Sequence, residues 1–430
     1  MEIQDVYLFN GNHFLPYVNV PTFKKKIPTN FMIPLDEHTS MREIFENASK
    51  DERRSLRKLL FENILYSDLK HIYLYKINSP MTISNVNFKK SMNNIVKDMN
   101  NNQYFNGELA SVISADKPFY LLDRIGSNSI GLKFIAGMDF EEEDNKIVKA
   151  RVIFVEVVSR KEVPYYNIVG VEFNFKEKFF MLMSKWLSGV DKSNLDVEDS
   201  MHYDHSISSS IKRVLDKIVT PLGIKTSHDV EKDRKGIFEL CQSLDNELLS
   251  EFRDIVSQKI DDQLKTSTEV LFESLFEDSE KKVSVFEKEN YIKRSKALML
   301  SSYITTTQSA AKIVAKAKEL KLVGYTTRIT FQTSKMSRGS TESASARKPI
   351  AASDLFHSLY INFQQALRLQ LFSIAWFTDY NFKAPKDRDV IQTTIYAQAN
   401  SFKIVFRARR LLEEDIIYHV VRNINEYRQY

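Results

Sequence analysis

The chain has 430 residues, of which 43% are hydrophobic, 12% aromatic and 27% charged. That is enough apolar surface to offset the entropy of ordering and excludes a mostly disordered protein. A single cysteine, Cys241, excludes a disulfide framework and a cysteine-rich zinc site. At roughly 150 residues per domain the length implies about three domains or subdomains. No uncharged apolar run reaches the roughly 18 residues of a membrane-spanning helix. Met1 to Tyr17 carries Glu2 and Asp5 where a secretory leader would be basic and then apolar. The expectation is a cytoplasmic protein without a membrane partner.

Pro16, Pro21 and Pro28 around Lys24-Lys25-Lys26 read as an extended arm or irregular loops. Helix signals begin at Ser40, which has capping-box spacing to Glu43, and continue through Leu56, Leu59, Leu60 and Ile64. Met92 to Asn106 is a polar, Asn-rich stretch. From there the chain reads as strands, at Ala110 to Ala115, Phe119 to Arg124, Ile130 to Ala136, Ile147 to Ser159, Tyr166 to Phe175 and Phe179 to Trp186. Val171 to Phe175 alternates with period two, which gives Glu172 a solvent face, and Glu141 to Asn145 reads as an acidic turn. An antiparallel meander follows, in which neighbours in sequence are neighbours in space.

The middle of the chain is helical. Ile207, Ile211, Val214, Leu215 and Ile218 share a helical face that ends at Thr220-Pro221-Leu222-Gly223, and Leu244, Leu248, Phe252, Ile255 and Val256 repeat the spacing. Glu247, Glu251 and Asp254 occupy a separate face. Beyond it, Tyr325 to Ser334 alternates as a strand, and Ser353-Asp354 caps a helix that continues through Phe363, Leu367, Leu371 and Ile374. Ile391 to Gln398 and Phe402 to Arg409 form a hairpin about Ala399-Asn400-Ser401, and Glu413-Glu414-Asp415 opens a final helix at the positive end of its dipole.

The expected fold class is α+β: an N-terminal arm and helices over 1–106, an antiparallel β-meander over 107–190, an acidic helical region over 191–320, and a basic C-terminal two-layer α/β sandwich of order β-α-β-β-α over 321–430. Charge follows this division. The net charge of +5 hides 16 basic against 9 acidic residues in 321–430, net +7, while Asp245 to Glu280 holds 11 acidic against 3 basic residues, net −8.

With helices on one face of the C-terminal sheet, the other face carries Arg328, Thr330 and Gln332 from one strand, Gln392, Thr394, Tyr396 and Gln398 from the next, and Lys403, Val405, Arg407 and Arg409 from the last. The loop from Lys335 to Pro349 adds Lys335, Arg338, Arg347 and Lys348. Arg and Lys neutralise phosphates, Gln and Thr offer neutral donors, and Tyr396 can stack a base, so this set forms a candidate nucleic-acid site. The plainer alternative is the ordinary solvated face of an antiparallel sheet.

Other constellations are weaker. Gly126 to Lys133 has the glycine spacing of a phosphate loop, but Leu132 and Phe134 stand where its lysine and hydroxyl belong. Asp139, Glu156 and Glu172 with Lys161 and Lys176 could converge as a metal-dependent nuclease site. His202-Tyr203-Asp204-His205 offers too few ligands for a closed zinc site, and Cys241 reads as a small core residue.

The sequence therefore points to a non-catalytic nucleic-acid-binding or scaffold subunit of an intracellular, bacterial-type multi-protein system, a role compatible with defence against foreign DNA. A metal-dependent nuclease and a module that binds a protein partner or a second copy through the acidic helices are the alternatives. No cofactor or resident metal is expected.

Overall fold

The computed structural model describes residues 7–31, 33, 35–78, 84–100, 117–187, 207–279, 283–332, 338–345, 348–384 and 386–428. The chain folds as two compact units, residues 1–228 with 409–414 and residues 229–408 with 415–430. Each combines helices with an antiparallel sheet, so the fold class is α+β.

In the first unit the proline-rich opening is not an extended arm. It forms a 3₁₀ turn, Gly11–Tyr17, and a short helix α1, Val20–Lys26, with Pro21 in the first turn, where its missing N–H leaves no bond unmade. Ser40 opens α2 (Met41–Asn47) through the expected capping box: its hydroxyl accepts from the Glu43 amide at 3.2 Å, and the Glu43 carboxylate accepts from the Ser40 N–H at 2.7 Å. Ala48 then leaves the helical backbone, and a second capping box at Ser49 and Glu52 starts α3 (Lys50–Ser67). Each such cap is worth about 1 kcal/mol. The Asn-rich stretch as far as Asn100 belongs to helix α4 (Asn85–Asn100), because Phe88, Met92, Ile95, Val96 and Met99 recur at helical spacing and are all buried; 101–106 lie outside the described residues.

The sheet of this unit runs in the order β2-β3-β4-β5-β6-β1, built from β1 (His71–Ile77), β2 (Phe119–Tyr120), β3 (Lys133–Glu143), β4 (Lys146–Arg160), β5 (Val163–Asn174) and β6 (Phe179–Ser184). The meander holds for β3 to β6, while β1, which periodicity had not marked, pairs antiparallel with β6. Ala110 to Ala115 lies outside the described residues. Glu141–Glu143 belongs to β3, and the turn itself is Asp144-Asn145, both at positive φ (50° and 59°), the backbone of a two-residue hairpin.

Helix α3 lies on one sheet face, where Gly137 and Gly170 make room for it. A Cβ at Gly170 would stand 2.6 Å from Leu65 Cδ2, and one at Gly137 2.9 Å from Phe61 Cδ2. The other face meets α4 through Phe88 against Phe140 and Phe175, and α5 (Ile207–Val214) through Asn167, which donates to Ser210 at 3.0 Å. Coverage on both faces explains why Val152 to Val158 is buried without a break and overturns the solvent face expected for Glu172, which is fully buried. A two-residue strand β7 (Thr226–Ser227) pairs with β1.

The second unit opens with α6 (Val230–Leu275), 46 residues and about 69 Å long at 1.5 Å per residue. It turns back as α7 (Val285–Thr307), with Phe252 facing Tyr303, Asp261 paired to Lys296 and Phe272 against Tyr291, the register of an antiparallel hairpin. After α8 (Ala310–Glu319) come β8 (Gly324–Gln332), β9 (Arg338–Glu342), α9 (Asp354–Ala366), β10 (Leu369–Phe377), β11 (Val390–Gln398), β12 (Ser401–Phe406) and α10 (Glu414–Tyr427). The sheet order is β12-β11-β10-β8-β9.

The C-terminal order is therefore β-β-α-β-β-β-α, two strands richer than β-α-β-β-α. Part of the polar loop is strand β9, paired with β8. The helix expected to run to Ile374 stops at Ala366, where Leu367 adopts the left-handed conformation (φ 55°), and Leu369–Phe377 becomes β10. One sheet face carries Ile329, Phe331, Phe372, Ile374, Trp376, Ile395, Ile404 and Phe406, all fully or nearly fully buried. Phe363 of α9 meets Phe331 edge-on at 6.0 Å, and His419 of α10 meets Trp376 at 5.9 Å. Among the described residues no helix is long and apolar enough to cross a membrane.

Candidate nucleic-acid interface

The opposite face of the second sheet carries most of the residues singled out for phosphate contact. Register places Lys403, Tyr396, Leu371, Thr330 and Ser340 in one cross-strand row, and Val405, Thr394, Ser373, Arg328 and Glu342 in the next. Alternation thus placed Arg328 and Thr330 of β8, Thr394 and Tyr396 of β11, and Lys403 and Val405 of β12 on one face. It missed the contribution of β10, because Leu371 had been placed on a helix.

The centre of this face is not solvated. Thr330, Ser373, Thr394 and Val405 are all under 5% exposed. Their hydroxyls are satisfied locally: Ser373 donates to Thr394 at 3.0 Å, and Thr330 and Ser340 lie 3.0 Å apart as a hydroxyl pair. Gln392 donates to Thr327 at 2.9 Å. Thr330, Thr394 and Gln392, three of the neutral donors expected for a ligand, are therefore committed to the fold.

What remains accessible is a cluster about Tyr396. The Lys403 ammonium lies 4.8 Å from the Tyr396 ring centroid, and the Arg407 guanidinium donates to the Tyr396 hydroxyl at 3.0 Å. Although β12 ends at Phe406, the Arg407 N–H bonds to Gln392 O at 2.8 Å and so continues the ladder one residue further, which fixes the base of the side chain. Burial lowers the Lys403 pKa, and the Arg407 charge lowers it further, so the two cations oppose one another across the ring.

The remaining candidates distribute unevenly. Arg328 is paired with Glu342, directly opposite on β9, at 3.3 Å. Arg338 is exposed and faces Gln332, whose side chain accepts from Gln370 at 3.2 Å. Lys348 is exposed on the turn before α9, with its backbone N–H on Ser345 O at 3.0 Å. Lys335 and Arg347 lie outside the described residues. Arg409 is not on β12 as expected: the strand stops at Phe406, and residues 409–414 belong to the first unit.

The carboxylates considered for a nuclease do not converge. Asp139, Arg151 and Glu172 occupy one cross-strand row of the first sheet, with the arginine between the two acids and bonded to Asp139. Glu172 accepts from the Tyr66 hydroxyl and lies 3.4 Å from Lys149, whose ammonium also reaches Glu414 at 2.8 Å. Burial raises the Glu172 pKa against the pull of Lys149, and burial together with the Glu172 charge holds the Tyr66 phenol well above its usual value. Glu156 points to the other sheet face, where Arg213 binds it at 2.8 Å and Lys133 lies at 3.8 Å. Lys176 pairs with the exposed Glu143, and Lys161 forms a hairpin turn at φ 53°. Among the described residues no three His, Cys, Asp or Glu side chains are grouped to hold a metal ion.

Gly131, at φ 85°, is part of a turn in which its N–H bonds to Val157 O at 2.8 Å, so that backbone is occupied by the sheet. Cys241 is buried 3.7 Å from the Thr326 hydroxyl, and burial pushes its thiol up, far from a thiolate. His202 to His205 lies outside the described residues. Comparison with known protein families, curated proteins and solved structures finds no match to this chain.

Proposed function

We propose that the chain is a non-catalytic nucleic-acid-binding subunit that holds a phosphate backbone on the outer face of its second sheet. The observation that supports this reading most directly is the Tyr396 cluster, in which Lys403 and Arg407 are held against one aromatic ring despite their mutual repulsion. A phosphate accepting from both would relieve that repulsion, and charge-assisted bonds of this kind contribute roughly 1.5–3 kcal/mol each. The phenol ring offers a surface on which a base can stack. Arg338 and the half-exposed Arg328 extend the positive charge along the same face, opposed by Glu342 alone in these two rows.

The test is binding of the purified protein to labelled single-stranded and double-stranded DNA and RNA across a salt series with Mg²⁺ present, followed by a denaturing gel. Affinity that falls steeply with salt while strands stay intact is the expected result. No binding at low salt, or cut strands, would overturn it.

A second surface favours a scaffold role in addition. At the far end of the α6–α7 hairpin Leu271, Leu275, Val285 and Phe286 are 54%, 75%, 73% and 67% exposed, and α6 carries the exposed acids Glu269 and Glu273 on a separate stripe, with exposed Glu277 just beyond its end. An exposed apolar tip on an acidic hairpin suits a protein segment whose own apolar residues are accompanied by Lys or Arg. Leu275→Asp with Phe286→Asp should abolish association with such a partner, measured by mass of the complex, without altering nucleic-acid binding. Retained association would exclude this tip as the contact.

A further inference from the structure

The second unit contains a pocket unrelated to the sheet face. It lies where α6, α7 and α9 meet, has a volume of about 350 Å³, and is walled by Val256, Ala297, Leu300 and Ile361. Such a volume is at the small end of the range for small-molecule sites, roughly 300–1,000 Å³. Three cations and four neutral polar side chains, Ser257, His357, Tyr360 and Gln364, also line it, and their partners define what it can accept.

Two of the cations are already neutralised. Arg253 is bonded to the buried Asp245 and lies 4.9 Å from the Tyr360 ring centroid, and Lys296 pairs with Asp261 at 2.6 Å. Lys293, at the rim, makes no ion pair among the described residues. Burial lowers the His357 pKa, and its Nε2 is 2.9 Å from Ala351 O, so the ring is neutral near pH 7 and oriented by the backbone. Gln364 has its Oε1 taken by Gln242 at 2.7 Å, and its Nε2 is directed at the Tyr360 hydroxyl, which also lines the pocket. The pocket thus combines an apolar interior, one positive charge without an ion pair among the described residues, and the Gln364 amide, which has a second N–H beyond the one directed at Tyr360.

We propose that this pocket binds a small organic acid, a molecule with an apolar body and one negative charge. The apolar body removes Val256, Ala297, Leu300 and Ile361 from water, the anion meets Lys293, and an oxygen of the ligand accepts from Gln364. A single charge is specified because Asp245 and Asp261 already balance Arg253 and Lys296. This site is independent of the nucleic-acid reading, since none of its residues lies on the sheet.

The experiment is isothermal titration of the full chain with octanoate, octanol and octyl phosphate as probes. Octanoate should bind saturably at one site, octanol about tenfold more weakly, and octyl phosphate no more tightly than octanoate. Lys293→Glu should weaken octanoate about tenfold or more while leaving the thermal transition in place, because Lys293 is exposed and makes no ion pair among the described residues. Ile361→Trp, which fills the pocket from a half-buried position, should abolish binding. No saturable binding of octanoate, equal binding of octanol, much tighter binding of octyl phosphate, or octanoate binding unchanged in both variants would each overturn the proposal.

Discussion

His419 makes the second unit acid-sensitive in a way that can be worked out. Its ring is stacked on Tyr380 at 4.7 Å and meets the fully buried Trp376 edge-on at 5.9 Å. The Asn423 amide faces its Nδ1 at 3.3 Å, and its Nε2 is buried without a hydrogen bond. Among the described residues no acid is paired with the ring, and burial pushes its pKa from 6.5 down to about 4. The folded protein therefore binds this proton less tightly than the unfolded chain does. Stability from this group is complete above pH 6.5 and drains away as the pH falls toward 4. For a single site the full shift sets an upper value of about 1.4 kcal/mol at pH 5.5 and about 2.5 kcal/mol at pH 4.5, which solvent screening of the half-buried ring reduces. Trp376 is the natural reporter in a Trp186→Phe background, because Trp186, the other tryptophan, is 66% exposed. Urea unfolding followed by Trp376 fluorescence should show the stability gap between His419 and His419→Phe proteins shifting by up to this amount between pH 7.5 and 4.5. His357 also has a lowered pKa but is common to both proteins and cancels. A gap that stays constant with pH would refute the assignment.

Further outcomes follow from the buried ion pairs. Asp233 and Arg428 join α6 to the end of the chain at 2.7 Å with 0% and 1% side-chain exposure, and the Arg428 guanidinium sits 3.8 Å over the Phe402 ring. Asp233→Ala removes the carboxylate bonded to that buried guanidinium and should destabilise the second unit by roughly 3–5 kcal/mol, whereas Asp233→Ala with Arg428→Met should recover much of the loss; both are read from urea midpoints. In the first unit Arg151→Leu removes the cation between Asp139 and Glu172 and should cost a similar amount, about 3–5 kcal/mol, while Glu172→Gln should cost clearly less, since burial already disfavours the Glu172 charge. Glu156→Ala should break the contact to Arg213 and lower stability without any effect on nucleic-acid binding, which a paired measurement of melting and affinity would check.

Local periodicity carried the strands of the meander and the outer face of the second sheet, because those signals depend only on a residue's own neighbours. Ser40 with Glu43, or Tyr396 with Lys403, is legible for that reason. Tertiary packing was not. Glu172 lies in an alternating run that suggests one wet face, yet helix α3 brings Tyr66 onto it and buries it fully. Leu371 and Ile374 continue the apolar spacing of α9, and only the left-handed turn at Leu367 separates that helix from β10. No glycine marks the turn, so the boundary was invisible. The candidate site was legible as composition on one face, whereas the commitment of Thr330, Ser373 and Thr394 to the fold depends on β10 and could not be foreseen. Arg409 was misplaced because β12 ends three residues earlier than its alternation suggests.

The central claim is that the cluster about Tyr396 holds phosphate, and the salt dependence of binding tests it most directly. Affinity for a labelled oligonucleotide should be measured over a range of salt concentrations for the natural chain and for Lys403→Glu with Arg407→Glu, with circular dichroism confirming the fold. If both side chains contact phosphates, the double variant should bind far more weakly, and the slope of log affinity against log salt should become shallower by about two. An unchanged affinity and slope in the folded variant would contradict the assignment of this face.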